Sequence, residues 1–83
     1  MSTIQFIDEE RRDLLHDLGE IARGCQAFKA DSPRAYRSEA IRQMRSYLKT
    51  VSEHSAFRQF CQKTCLNQDE FIADVLRQAV DAL

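Results

Sequence analysis

Apolar residues recur along this chain at helical spacing, and the interruptions mark where one helix gives way to the next. In the first run Ile7, Leu14, Leu18, Ile21, Cys25 and Phe28 keep a rhythm of about 3.5 residues. Leu15 and Ala22 widen the stripe, and the pattern predicts a helix over about residues 4–28. Asp8, Glu9 and Glu10 suit the positive end of its dipole. Gly24 either ends this helix or is carried through to Phe28 at a cost of about 1 kcal/mol. At one point the rhythm asks for an apolar residue and the chain supplies Arg11.

The segment that organises the rest is 33–51. Ser32 followed by Pro33 is a strong start signal: the serine oxygen can accept from an orphan N–H, and proline at the first helical position has none to waste. At about 100° per residue, Tyr36, Ala40, Ile41, Met44, Tyr47, Leu48 and Val51 share one broad apolar arc. Arg34, Arg42, Arg45 and Lys49 form a neighbouring basic edge, while Glu39, Gln43 and Ser46 fill the back. Arg37 is the misfit, falling inside the apolar arc.

A break at 52–55 follows, with Ser52 or Ser55 as a possible cap. Ala56, Phe57, Phe60, Cys61 and Thr64 then make a short stripe, which predicts a helix over 55–65. The last start is the clearest. Asn67 can cap, Glu70 stands three residues on, and Leu66 can staple against Phe71, predicting a helix over 68–83. Its apolar pairs Phe71–Ile72, Val75–Leu76 and Ala79–Val80, with Leu83, cover nearly half the helix surface. So wide a stripe fits either the hub of a bundle or a helix with one flank completed by another subunit. Phe71, Val75, Leu76, Val80 and Leu83 are therefore the candidates for self-association.

Only two glycines and one proline occur in 83 residues, which leaves little room for hairpins. The expected fold is all-α: one domain over 1–83, a compact bundle of about four helices, antiparallel where connections are short. Small size also favours an oligomer, so a homodimer is a natural expectation. The net charge of −1 hides three blocks. Residues 1–32 hold four Lys/Arg against seven Asp/Glu, 33–65 hold seven against two, and 66–83 hold one against four. A basic middle between acidic ends can satisfy itself inside the fold, which argues against a dedicated nucleic-acid binder. No apolar run approaches the ~18 residues of a membrane span, and the start lacks the order of a signal peptide. With three cysteines, an odd number, the natural expectation is a cytoplasmic setting and no disulfide framework.

Chemistry-bearing residues are few. Arg11 and Arg37, placed in apolar stripes, must find a carboxylate, a carbonyl, a bound anion or the water at the stripe's edge. Cys61 and Cys65 stand one turn apart and could share a face, but structural zinc sites build on CxxC knuckles, so both read as small core hydrophobes. His16 and His54 read as surface residues, with no nucleophile or carboxylate placed against them by a known motif. Ala30-Asp31-Ser32 is similar to the attachment serine of carrier proteins, yet the proline after it and the basic helix beyond count against that. There is no Walker loop, GxSxG, HExxH or EF-hand pattern. Tyr36 and Tyr47 flank the basic edge, and tyrosine with arginine is a typical composition for a binding surface. The sequence thus points to a small non-enzymatic protein-interaction module, without metal or cofactor: an adaptor, an inhibitor or a complex subunit, self-associating through its last helix. The alternative is a helical subunit that contacts nucleic acid or a nucleotide phosphate through Arg34, Arg42, Arg45 and Lys49.

Overall fold

Each long apolar stripe becomes a helix. The structure, a computed structural model, describes residues 2–83, and among them lie four α-helices and no strand. They are α1 (Thr3–Gly24), α2 (Pro33–Glu53), α3 (Ser55–Lys63) and α4 (Gln68–Asp81), with a 3₁₀ helix, Gln26–Ala30, between the first two. The molecule measures 44 × 22 × 17 Å, its long axis set by α1 and α2. None of the helices is long and apolar enough to cross a membrane.

Two of the starts are those the sequence signals. The Ser32 hydroxyl accepts from the Ala35 N–H at 2.9 Å ahead of Pro33, and the Asn67 side chain accepts from the Glu70 N–H at 3.0 Å. Ser2 caps α1 by accepting from Gln5, so the helix begins early enough to leave Asp8, Glu9 and Glu10 beyond its first turn. The α2–α3 joint differs from expectation. α2 continues to Glu53, only His54 leaves helical geometry, and neither serine caps, because the Ser52 hydroxyl instead donates to the Lys49 carbonyl.

The first helix also ends differently. α1 closes at Gly24, and the chain tightens into the 3₁₀ helix after the fully buried Cys25. That change of winding takes Phe28 off the stripe and leaves it 38% exposed. The end of α3 is a Schellman motif. Leu66 N–H donates to the Cys61 carbonyl and Cys65 N–H to that of Gln62, with Cys65 at φ 57° where glycine is usual.

Leu14, Leu18 and Ala22 of α1, Ala40, Met44 and Leu48 of α2, and Phe71, Val75 and Ala79 of α4 form the centre of the core. Phe57 and Cys61 of α3 close one end, where Phe57, Phe60 and Phe71 lie ring to ring at about 6 Å. Phe6 stacks on Phe60 from outside, while Ile4 remains 73% exposed. At the far end the small residues Gly19, Ala22, Ala79 and Ala82 leave a hollow of about 440 Å³ between α1, α2 and α4.

Leu18→Ala, which truncates a side chain with no exposed surface, is expected to lower the unfolding free energy by about 3 kcal/mol in a urea titration. Gly19→Ala should act in the opposite direction. Its new methyl meets only the Arg23 guanidinium, at 3.9 Å, so the gain in helix propensity, about 0.5–1 kcal/mol, should appear as a raised midpoint.

Candidate functional site

The two apolar rows of α4 have separate fates. Phe71, Val75 and Ala79 recur every fourth residue and are buried against α1 and α2. Ile72, Leu76 and Val80 form the adjacent row and stay half-buried, as does Leu83. Of the residues expected to join two copies, Phe71 and Val75 are thus consumed in the chain's own core, because α4 is the hub that both long helices need. Leu76, Val80 and Leu83 remain at the surface.

The half-buried row meets α2. Gln68 donates to the Ser52 carbonyl at one end, and Met44 and Ala79 line a common hollow at the other, so the two helices run antiparallel. Between them lies a groove of about 350 Å³, with Leu48, Ile72, Ala73 and Leu76 as its floor and walls and Arg45 and Lys49 on its α2 rim. Two features that the sequence presents separately, the basic edge and the spare flank of the last helix, therefore form one surface. Ser52, Ile72 and Ala73, with Leu48 and Asp69, also line it and are not among the residues that the sequence offers for binding. The signal for Ile72 was its place in the same every-fourth row as Leu76 and Val80.

The basic edge does not act as a unit. Arg34, Arg42, Arg45 and Lys49 are all exposed, but Arg42 holds both carboxylate oxygens of Glu39 on its own helix. Those bonds, with a third from Gln43, draw the Glu39 carboxyl down to about 2. Arg34 stands 11 residues before Arg45, about 16 Å along the helix. Among the described residues no ion pair links α2 to the acidic helices, so the basic middle is not neutralised inside the fold as its charge blocks suggest. Arg45 and Lys49 are left as cations facing outward.

The tyrosines serve the interior more than the surface. Tyr47, half-buried, donates its hydroxyl to Asp17 of α1 at 2.5 Å. This bond to a carboxylate, with burial added, pushes the phenol up to about 12. Tyr36 lies under Lys29, whose ammonium stands 4.6 Å from the ring centroid. Neither lines the α2–α4 groove.

The two in-stripe arginines part company. Arg11 pairs with Asp74 of α4, and its guanidinium lies 5.1 Å from the Phe71 ring centroid, so it ties α1 to α4. Hydrogen bonds from Arg77 first and Arg11 second hold the Asp74 carboxyl below its ordinary value. Arg37 is exposed, beside a hollow that Lys29, Pro33, Tyr36 and Leu83 also line. Arg11 sits against Phe71 and Asp74 in the first half of α4, whereas the hollow beside Arg37 is closed by Leu83, past the end of that helix, so the two arginines share no anion site. Cys61 is buried whereas Cys65, beyond the helix end, is exposed, so their sulfurs do not share a face. Ser32 is occupied as the cap of α2. His16 is a surface residue within 4 Å of Asp17 and Glu20, and His54 is the exposed joint between α2 and α3.

No protein-family model, curated protein or solved structure matches this chain.

The Tyr47–Asp17 bond has a pH signature. The folded phenol titrates above its ordinary value of 10, so its contribution is complete below pH 10 and is lost as the pH rises towards 12. Tyr47→Phe should cost about 1 kcal/mol at neutral pH. It should also flatten the fall in melting temperature over that alkaline window, read by circular dichroism.

Proposed function

We propose that this chain is a small protein-interaction module, an adaptor, inhibitor or complex subunit, and not an enzyme. The observation that carries the reading is the α2–α4 groove, where a half-buried apolar row lies beside two outward cations. Desolvatable apolar area with arginine at its margin is the composition of protein-binding surfaces. The residues that stand out chemically are engaged elsewhere: Arg11 bridges helices, Ser32 caps and Tyr47 ties α1 to α2. Self-association, if it uses α4, falls to Leu76, Val80 and Leu83.

The nucleic-acid alternative is weakened by the same geometry. Arg42 is paired with Glu39, and Arg34 is remote from the remaining pair, which leaves Arg45 and Lys49 as the cations of that edge free to follow a phosphate chain. Two phosphate contacts supply little of the electrostatic free energy on which such binding depends.

Light scattering at low and high salt, with and without a mixed nucleic-acid pool, tests the reading. The expected result is a mass that salt leaves unchanged and that nucleic acid does not increase. A larger, salt-sensitive species formed only with nucleic acid would overturn it. Arg45→Glu with Lys49→Glu should leave helicity and melting temperature within the range of ordinary surface changes, about 0.5 kcal/mol.

A further inference from the structure

We infer that the α2–α4 groove receives an acidic amphipathic helix of another protein, an inference that rests on the interaction-module reading. The floor is an apolar strip made by Leu48, Ile72 and Leu76. One turn past Arg45 on α2 stands Ile41, and one turn past Leu76 on α4 stands Val80, both half-buried and outside the core cluster. From Ile72 to Val80 the half-buried row of α4 spans about 12 Å, the length of two helical turns. A ligand that fills it presents apolar side chains at i, i+3 or i+4, and i+7, as helices laid in grooves do.

The rim sets the ligand's charge. Arg45 and Lys49 have no ion-pair partner among the described residues, and their aliphatic stems extend the apolar wall while their charged ends face solvent. The one carboxylate lining the groove, Asp69, closes the end where Gln68 meets Ser52. Carboxylates on the α2 side of a seated helix would meet both cations.

A second copy fits this surface less well. Symmetric pairing of two such grooves gathers four cations, two from each chain, into one interface, and like charges so gathered repel. Neither acidic helix of this chain is a substitute: the Leu14–Leu18–Ala22 stripe of α1 is already buried, and the half-buried row of α4 is itself a wall of the groove. The occupant has to bring acids and an unspent apolar stripe together. A helix from a different chain does so.

The test uses two fluorescein-labelled synthetic helices of about eighteen residues. They share one leucine pattern and differ in carrying glutamates or lysines beside it. Anisotropy titration should show the glutamate peptide binding at least about tenfold more tightly, with the advantage shrinking as salt is raised. Amide NMR shifts in the full chain should gather on Leu48, Ile72, Ala73 and Leu76. Arg45→Glu with Lys49→Glu should reverse the charge preference, and Leu76→Asp should abolish binding of both peptides, with melting curves confirming that each variant folds. Equal binding of the two peptides, or shifts centred elsewhere, would overturn the inference. Groove amides that move only as the protein itself is concentrated would also sink it, while leaving the interaction reading intact. Groove amides that respond neither to peptide nor to concentration would defeat both.

Discussion

The structure depends on α4 lying across both long helices with its Phe71–Val75–Ala79 row sealed between them. α1 and α2 alone would make a helical hairpin with an apolar cleft, and each of their central leucines needs a third surface to be removed from water. Burying such a side chain is worth about 1.5–3 kcal/mol, so a hairpin that exposes several of them is not a stable end point. α4 supplies the missing face. It also carries more apolar surface than the cleft accepts, because a three-helix junction seals one row of a helix and leaves the neighbouring row at the seam. Core and groove are thus two results of one constraint.

Charge is arranged around that seat. Asp17 anchors Tyr47 across the α1–α2 seam, and Asp74 receives Arg11 across the α1–α4 seam while Arg77 and Gln78 hold it from its own helix. Glu39 is taken by Arg42 and Gln43. These carboxylates work locally, within three or four residues or across a single seam. The basic excess of α2 is therefore not cancelled by the acidic segments on either side of it in sequence, and it emerges beside α4.

Much of this was legible in the sequence. Helix class, the caps at Ser32 and Asn67, and the central stripes follow from rules that act over three or four residues, and those hold whatever the rest of the chain does. What could not be read were relations between helices. Arg11 announces that it needs a partner, but Asp74 is 63 residues away and nothing local points to it. Arg37 lies in the apolar arc by angle, yet α2 at that level faces a hollow and not a packed neighbour, so the side chain stays in water. Phe28 misses the core because the winding tightens after Cys25, a change set by how the chain must turn towards α2. Cys65 looked like the helical partner of Cys61 and instead forms the left-handed cap that ends α3. The candidate surface was half visible: its cations and its spare apolar row could each be seen, but their meeting required the register of α4 on α2.

That register bears on how the molecule assembles. The α1–3₁₀–α2 portion closes through contacts between chain neighbours, and structures dominated by local contacts fold fastest. The α1–α4 seam joins the most distant parts of the chain, Arg11 and Asp74 being 63 residues apart, so its loop-closure entropy is the larger obstacle to docking α4. The groove has one wall from each side of the α2–α4 seam. It exists only in molecules whose last helix has docked, and any local opening that releases α4 erases it. A partner that recognises this surface discriminates finished chains from unfinished ones, and by binding the former it holds the last helix in place.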